Sequence, residues 1–352
     1  MLCNSFLQGG VMNPKTILGI LVSLFFTFLL FSNTTFASRV PLQLYSGGIS
    51  PLEEGFFNPG DEELTLKPEG LEVAYEASRA FPVGWSNCSS SYISPDGYII
   101  TAFHCVIAGL GIEDEYKEEL AEGAEIVVVP QEAVIGKTYK SGNLKATVVA
   151  AGEGFGQFDE RLVDEYDPSV LQKIQDVIGT DWAILKLSSV KKKNHACLVA
   201  APETPAEGDY NWAIGYPADT IRDVGQVTNN RKKLVSFGKV AYSADGAGYY
   251  NTLPETKRDI SRAFWKDLVD AGIFFISDAD SQGGNSGSPA INDQSQLIGL
   301  LVQGLMPDQQ ISYEKFHAYS TGMIDLQFIR YSLGEEAFNK YFTCGLSEEE
   351  EE

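Results

Sequence analysis

The chain of 352 residues contains 26 Lys and Arg, 48 Asp and Glu, three His and five Cys. Its 44% hydrophobic and 21% charged residues are typical of a folded globular protein, which excludes a disordered chain, a collagen and a small disulfide scaffold. The net charge of −22, with no basic run longer than that at Lys191–Lys193, repels phosphate backbones and argues against nucleic-acid binding. The acidic balance favours cationic substrates or partners.

The N-terminal 37 residues have the pattern of an export signal. An apolar stretch from Ile17 to Phe31 follows Lys15. It leads to the small residues Thr35 and Ala37, at positions −3 and −1 of a cleavage after Ala37. This pattern predicts a secretory signal peptide over residues 1–37, with Met12 better placed than Met1 as the start. An uncleaved anchor is the alternative, but the stretch is shorter than the roughly 20 residues that span a membrane.

Cleavage after Ala37 would change the cysteine count and barely change the charge. It would remove one Lys, no acidic residue and Cys3, which leaves a net charge of −23 and four cysteines. An even number in an exported chain predicts two disulfides, with three pairings open, in a secreted or periplasmic protein without a stable membrane anchor. The four are Cys88, Cys105, Cys197 and Cys344.

After an N-terminal extension or propeptide at residues 38–80, short strands predominate. The first two flank the turn Pro95-Asp96-Gly97 and predict a hairpin, with residues 91–94 entering it and residues 98–102 leaving it. Strands separated by loops predict an antiparallel barrel or sandwich. The further predicted strands are Ile126–Val129, Ala146–Ala150, Trp182–Leu187, Trp212–Gly215, Leu234–Ala241, Ile273–Ile276 and Leu297–Val302.

Helical patterns interrupt the strands. Asp167-Pro168 forms an N-cap and N1 pair before apolar residues at helical spacing, and a second helix contains Ile260, Phe264 and Leu268. An acidic helix is predicted at residues 113–122 and a last helix at residues 324–342. The acidic tail, residues 343–352, has nothing to bury and should be solvated.

The segment Gly283-Gly284-Asn285-Ser286-Gly287 carries the most chemical information. A Ser between glycines, after one strand and before another, can present its hydroxyl on a tight turn while backbone N–H groups converge beside it. Acyl transfer requires such amides around its oxyanion. A Gly/Ser-rich surface loop without function is the alternative interpretation of this string alone.

Two polar residues elsewhere favour the catalytic interpretation. His104 ends the predicted strand 98–102 and precedes Cys105, so a disulfide from Cys105 to Cys88 would close the hairpin that carries it. Asp181 opens the predicted strand Trp182–Leu187. Alone, the His is a satisfied polar residue and the Asp a turn residue or cap. Their order along the chain, His, Asp and then Ser, favours a catalytic role for all three.

The three segments together resemble the trypsin-like, chymotrypsin-fold serine peptidases. Residues 101–105 resemble that family's Thr-Ala-Ala-His-Cys, residues 181–185 its Asp-Ile-Ala-Leu-Leu, and residues 284–289 its Gly-Asp-Ser-Gly-Gly-Pro. The resemblance covers residues 81–342. It implies a Ser286 nucleophile, a His104 general base, an orienting Asp181 and an oxyanion hole from the N–H groups of Gly284 and Ser286.

The resemblance also implies how substrate binds. The run 299–304 resembles the family's Gly-Ile-Val-Ser-Trp-Gly, which would pair with the substrate backbone through Val302, Gln303 and Gly304. Asp280 lies six residues before Ser286, where trypsin-like enzymes place the carboxylate that selects Arg or Lys. A loop-orienting hydrogen-bond role for this Asp is the alternative.

Departures from the family pattern argue against three properties of related enzymes: activation through a new N-terminal amine, glutamyl specificity and the release of dipeptides. Asn285 replaces the Asp that binds the new N-terminal amine in the digestive enzymes, which puts that activation mechanism in doubt. Glutamyl endopeptidases share residues 283–289, but Leu301 stands where they carry a Glu-recognising His. Bacterial dipeptidyl-peptidases share the Ser-Pro-Asp-Gly turn and the first cysteine spacing, yet the 105 residues from Asp181 to Ser286 leave no room for their helical cap.

The sequence therefore predicts an all-β secreted serine endopeptidase of two antiparallel six-stranded barrels, with helical loop insertions and a C-terminal helix. Barrel 1 spans about residues 81–195 and barrel 2 about residues 196–325. We expect disulfides Cys88–Cys105 and Cys197–Cys344, a peptide or protein substrate, a monomer, and neither metal nor cofactor. The alternatives are a dipeptidyl-peptidase or other exopeptidase of the same clan, and a secreted binding protein that has lost catalysis.

Overall fold

The computed structural model describes residues 66–84, 86–120, 125–156, 167–190, 196–217, 220–222, 226–228, 233–241, 255–277, 279, 281, 283–305 and 320–345. All of them belong to one compact unit of the chain. The predicted signal peptide, Asp280 and residues 346–352 of the acidic tail lie outside the described residues. None of the helices within these ranges has the length and apolar content needed to cross a membrane.

The described elements are mainly short strands. The helices are α1 (Leu71–Ala77), α2 (Phe103–Leu110), α3 (Gln131–Val134), α4 (Pro168–Ile178), α5 (Glu255–Asp270), α6 (Leu326–Leu333) and α7 (Glu335–Tyr341). The strands are β1 (Ser78–Val83), β2 (Ser86–Tyr92), β3 (Tyr98–Thr101), β4 (Lys117–Glu119), β5 (Glu125–Val128), β6 (Thr138–Ser141), β7 (Leu144–Ala151), β8 (Gly154–Gly156), β9 (Ala183–Leu187), β10 (Tyr210–Gly215), β11 (Thr220–Arg222), β12 (Gln226–Thr228), β13 (Leu234–Ala241), β14 (Phe274–Ser277), β15 (Pro289–Ile291), β16 (Leu297–Leu305) and β17 (Ser320–Asp325).

The N-terminal half forms an antiparallel six-stranded sheet in the order β1-β2-β3-β9-β7-β6. The predicted hairpin is confirmed, because Tyr92 on β2 pairs with Ile99 on β3 across the Pro-Asp-Gly turn. Within the described residues this sheet forms a half-barrel with β1 and β6 as its edge strands. A hydrogen bond joins the two edges, because the Tyr139 hydroxyl on β6 donates to the Pro82 backbone carbonyl on β1 at 2.5 Å.

The C-terminal half is the closed six-stranded antiparallel barrel that the sequence predicts, in the order β10-β13-β14-β17-β16-β15. Its interior combines large and small side chains, which fits the limited space of a six-stranded barrel. The buried cluster within it consists of Ala201, Ala213, Val240, Phe275, Ala279, Ala290, Ile298, Leu301 and Met323. The mostly-β fold class with one half-barrel sheet and one closed barrel agrees with a chymotrypsin-like architecture.

The connection between β3 and β9 contains β6 and β7 of the six-stranded sheet and, around them, a long insertion whose described parts include residues 112–120, 125–137 and 154–156. The predicted acidic helix at residues 113–122 is wrong: a single 3-10 turn (Glu113–Glu115) leads into β4, which pairs with β5 in a small sheet β4-β5-β8. The helix α4 is confirmed, and the side chain of Asp167 caps it by accepting the Ser169 N–H at 2.8 Å.

The C-terminal segment departs from the prediction of one helix over residues 324–342. Residues 320–325 complete the barrel as β17, and the helical part breaks into α6 and α7 at Gly334, whose φ of +74° a helix does not permit. Tyr341 on α7 packs edge-on against Tyr98, with ring centroids 5.1 Å apart. The end of the chain is thereby held against the N-terminal sheet, where the Cys197–Cys344 disulfide also secures it.

Residues before position 81 take part in the folded domain. Strand β1 begins at Ser78, and α1 before it buries Leu71, Ala74 and Ala77. The indole N–H of Trp212 donates to the Leu66 carbonyl at 3.0 Å. At least residues 66–80 are thus integrated with both halves of the molecule.

Candidate active site

His104 and Asp181 are in direct contact. His104 Nδ1 lies 2.7 Å from Asp181 Oδ2, and the backbone N–H of His104 donates to Asp181 Oδ1 at 2.8 Å. The expectation that His104 ends a strand is wrong, because β3 stops at Thr101 and His104 lies in the first turn of α2. The N-cap residue Ala102 has no capping side chain, so Asp181 supplies the missing acceptor. One carboxylate therefore caps the helix and holds the imidazole.

The electrostatic surroundings of His104 suit a general base. Burial lowers its pKa, but the charge of Asp181 and its hydrogen bond raise it, with a smaller contribution from Glu113, and the net result is a pKa above 6.5. The imidazole side chain keeps 25% of its surface exposed, whereas the Asp181 side chain keeps 5%. Because Nδ1 faces a carboxylate, the neutral ring holds its proton there and leaves the Nε2 lone pair free.

Ser286 lies on a tight turn that leads into β15, against strand β2 of the other half. Its carbonyl accepts the Ser89 N–H at 2.7 Å and lies 4.0 Å from the Cys105 sulfur. The next residue, Gly287, has a φ of +83°, and a Cβ there would lie 2.2 Å from the Ser89 carbonyl. The turn can approach the sheet this closely only because residue 287 is Gly. The structure thus brings the Ser286 backbone next to the residue that follows His104.

Both predicted disulfides are bonded in the structure. Cys88 on β2 is joined to Cys105 on α2, and Cys197 is joined to Cys344 near the C-terminus. Among the described residues, Cys88, His104 and Cys105 form the one group of His, Cys and acidic side chains close enough to share a metal ion. Disulfide bonding leaves these two Cys without thiolates, so the group does not offer a metal site.

The loop at Ser286 contains the two residues whose N–H groups are predicted to bind an oxyanion. Gly284 has a φ of +96°, which favours glycine, and it is half-buried like Ser286. Asn285 between them is buried, with 3% of its surface exposed. The Gly284 carbonyl accepts a hydrogen bond from the Ser89 hydroxyl at 2.9 Å.

Strand β16 places the predicted substrate-binding residues beside this loop. The Gly287 N–H donates to the Leu301 carbonyl at 2.7 Å, and β15 pairs with β16 only up to Leu300. Beyond that point, the β15 side of residues 302–304 carries no strand among the described parts of the chain. Val302 is buried, and Gln303 and Gly304 are half-buried. The predicted pairing with a substrate backbone concerns this side of β16.

Three site residues were not singled out from the sequence. Ser89 bonds to the Ser286 loop, the Phe155 ring on β8 lies 5.5 Å from the His104 ring, and Glu113 helps to raise the pKa of His104. Ser89 carried one signal, its position next to Cys88. Phe155 and Glu113 carried none, because the long insertion that brings them to His104 has no motif.

The comparisons with known proteins identify the family of the chain. The trypsin-like peptidase domain matches residues 88–300, which is more than half of the chain. No curated protein sequence matches it.

Solved structures of proteases are distantly similar. An inactive form of Rv3671c from M. tuberculosis H37Rv shares 13% identity and a TM-score of 0.37, over 80% of this chain and 97% of that one. The active form of the Rv3671c protease shares 17% identity and a TM-score of 0.36, over 76% and 86%. The serine endoprotease from Yersinia pestis shares 17% identity and a TM-score of 0.35, over 79% and 68%. On the sequence match over residues 88–300, the chain belongs to the trypsin-like peptidase domain family and is a serine peptidase.

Proposed function

We propose that the chain is a secreted serine endopeptidase that hydrolyses peptide bonds through a Ser286-His104-Asp181 triad. The observation that carries the proposal is the contact of 2.7 Å between His104 and Asp181. The residue that follows His104 on the same helix, Cys105, has its sulfur 4.0 Å from the Ser286 carbonyl oxygen. These contacts support a site at the junction of the two halves in which Ser286, His104 and Asp181 act together. Their residue types are those of a nucleophile, a base and a group that orients the base.

The reaction follows from the tautomer of His104. Its Nε2 accepts the Ser286 hydroxyl proton while Oγ attacks the substrate carbonyl carbon, and the carbonyl oxygen becomes an oxyanion. The N–H groups of Gly284 and Ser286 stabilise that oxyanion, each typically by about 3 kcal/mol. The imidazolium then donates its proton to the leaving amine, which leaves an acyl-enzyme. Water, deprotonated by the same Nε2, releases the acid and restores Ser286.

The position of β16 beside the Ser286 loop supports an extended peptide as substrate. Backbone groups of Val302, Gln303 and Gly304 would pair with it as an added strand, in line with the turn at Ser286. Such pairing uses substrate backbone on the acyl side and requires no free amino end, which favours an endopeptidase. Asp280, at the family's position for a basic-specificity carboxylate, favours Arg or Lys at P1, the substrate residue before the scissile bond. The acidic net charge of −22 favours the same substrates.

Export is supported by two features. The apolar stretch in residues 1–37 has the pattern of a signal peptide. The two disulfides account for all four cysteines beyond residue 37, and disulfides persist in oxidising compartments. Chemical sequencing of the mature N-terminus from culture medium or periplasm tests the export step. We expect a first residue close to position 38 or beyond it, whereas an intact Met1 or Met12 would contradict export with cleavage.

Peptidase activity of Ser286→Ala tests the proposed mechanism. We expect loss of nearly all hydrolysis of an unstructured protein such as casein. Ser288→Ala is the matched control, because this neighbour is buried and its hydroxyl has no hydrogen-bond partner in the described structure. The control should retain activity. Full activity in Ser286→Ala would show that the nucleophile is wrong.

A positional-scanning peptide library tests specificity separately. We expect cleavage after Arg or Lys in internal positions, and loss of that preference in Asp280→Ala. Cleavage confined to the first two residues of a peptide would show a dipeptidyl-peptidase instead. Unchanged basic selectivity in the variant would remove Asp280 from the specificity site.

A further inference from the structure

Ser89 on β2 is completely buried, and every polar atom it has is hydrogen-bonded. Its hydroxyl donates to the Gly284 carbonyl at 2.9 Å and accepts the Tyr216 N–H at 2.9 Å. Its own N–H donates to the Ser286 carbonyl at 2.7 Å, and its carbonyl accepts the Thr101 hydroxyl at 2.7 Å. A single residue thus joins the N-terminal sheet, the Ser286 loop and the end of β10 in the barrel.

The two bonds from Ser89 to the loop fall on either side of Asn285. One fixes the carbonyl of Gly284 and the other the carbonyl of Ser286. Each bond restricts rotation about the residue whose N–H is proposed to bind the oxyanion. Gly284 needs this most, since a glycine without Cβ has the widest choice of backbone conformations.

The residue before Ser89, Cys88, is tied to the helix that carries His104. Cys88 is bonded to Cys105, which directly follows His104 on α2. Two consecutive residues of β2 are therefore tied to the base and to the loop of the nucleophile. The distance between these two groups is set by one rigid stretch of strand rather than by the long connections between them.

We propose that Ser89 is a positioning residue for oxyanion binding: its hydroxyl orients the Gly284–Ser286 backbone relative to His104. This inference rests on the proposed peptidase function. Without the hydroxyl, the Gly284 carbonyl and the Tyr216 N–H would both lose a buried partner, and the loop would turn to recover one. The amides would then point away from the developing oxyanion, although substrate could still pair with β16.

The steady-state kinetics of Ser89→Ala test this inference. We expect kcat to fall about 10- to 100-fold with KM changed less than about threefold, because a displaced oxyanion donor weakens binding of the transition state and not of the substrate. Ser90→Ala is the matched control on the same strand. Ser90 is equally buried, but its hydroxyl donates to the Arg79 carbonyl at 3.3 Å, away from the loop. It should keep the wild-type kcat.

A second pair of variants separates the hydroxyl from packing. Ser89→Thr and Ser89→Val have nearly the same shape and differ in the hydroxyl, so their thermal unfolding should be compared along with their kinetics. We expect kcat of the Thr variant to exceed that of the Val variant about 10-fold or more. This pair also decides the question if Ser89→Ala does not fold.

The outcomes distinguish the two proposals. Equal kcat in the Thr and Val variants, or wild-type kcat in Ser89→Ala, would overturn the positioning role and leave the peptidase function intact. A fall in kcat that Ser90→Ala shows to the same extent would assign the effect to general packing and likewise overturn it. A folded wild-type protein that neither cleaves peptides nor reacts with a fluorophosphonate would overturn the proposed function itself.

Discussion

Asp181→Asn should abolish most catalysis while leaving the fold in place. The Asn carbonyl can still accept the His104 N–H, which Asp181 Oδ1 accepts at 2.8 Å, so the cap of α2 survives. The other carboxylate oxygen, 2.7 Å from Nδ1, becomes an NH₂ group that can only donate. The imidazole proton must then move to Nε2, the atom that has to accept the Ser286 proton. In triads of this kind the wrong tautomer lowers kcat by about 10⁴-fold.

The pH dependence of the same variant provides an independent check. Hydrolysis requires neutral His104, so the acidic limb of kcat/KM reports its pKa in the free enzyme. In the wild type this limb should lie above pH 6.5, because the carboxylate outweighs the effect of burial. Removing the charge of Asp181 leaves burial, which lowers the pKa, as the larger influence. The limb of the residual activity should therefore move to lower pH.

The free energy of unfolding of Asp181→Asn measures how much the substitution destabilises the fold. A hydrogen bond to a charged group contributes about 1.5 to 3 kcal/mol, so we expect the free energy of unfolding to fall by about 2 kcal/mol. Asp325→Asn is the matched control, because Asp325 is also buried and also accepts a helical N–H, that of Gln327 at 2.7 Å. The control should leave kcat and the acidic limb unchanged. More than about a tenth of the wild-type kcat in Asp181→Asn, or an unmoved limb, would refute the tautomer argument.

Three further predictions concern packing, the disulfide and a buried acid. Gly287→Ala should strongly lower both thermal stability and kcat, since its Cβ would lie 2.2 Å from a β2 carbonyl. Gly283→Ala should lower neither, because nothing lies within 4 Å of the added atom. Equal thermal unfolding midpoints of the two variants would contradict this prediction. Replacing Cys88 and Cys105 together by Ala should lower the free energy of unfolding by about 3 kcal/mol, and an unchanged denaturant midpoint would show that the bond adds nothing. Burial raises the pKa of Asp325 from 3.8 to about 6, so its contribution to the free energy of unfolding is fully present below pH 3.8 and is lost as the pH rises through 6. Over this range the wild type should lose about 3 kcal/mol of unfolding free energy relative to Asp325→Asn. Plots of unfolding free energy against pH that stay parallel for the two proteins would contradict the prediction.

The sequence predicted the barrel of the second half because its strands carry their own signals. Runs such as Leu234–Ala241 and Leu297–Val302 are rich in β-branched and apolar residues, and both form strands of the closed barrel. The half-barrel shape of the first sheet was not predictable. Its edge strands are joined by the hydrogen bond from Tyr139 to Pro82, which spans 57 residues of the chain, and Pro82 has no N–H for further strand pairing.

The site shows the same division between local and tertiary causes. The residues of the predicted triad were found because each sits in a short motif. That His104 lies in a helix was missed, since Phe103–Ile107 is an apolar run that continues the strand pattern, and the acceptor that caps the helix is Asp181, 77 residues away. Ser89 was missed for the same reason, because its partners lie 127 and 195 residues further along the chain.

Regions of weak pattern gave the wrong elements. The glutamates of residues 113–122 are good helix formers, but β4 there gains its hydrogen bonds from β5, a pairing that propensity does not show. The predicted C-terminal helix starts too early, because Ile324 and Asp325 are buried and form the end of β17. Its break at Gly334 was visible in the sequence but a single Gly does not always end a helix.

Mapping the site of covalent modification tests the central claim most directly. The folded wild-type protein would be treated with a fluorophosphonate, digested and analysed by tandem mass spectrometry for the modified residue. We predict one phosphonyl group on Ser286, none in Ser286→Ala, and strongly slowed labelling in Asp181→Asn. A folded protein that remains unmodified, or that carries its adduct on another residue, would contradict the proposed triad.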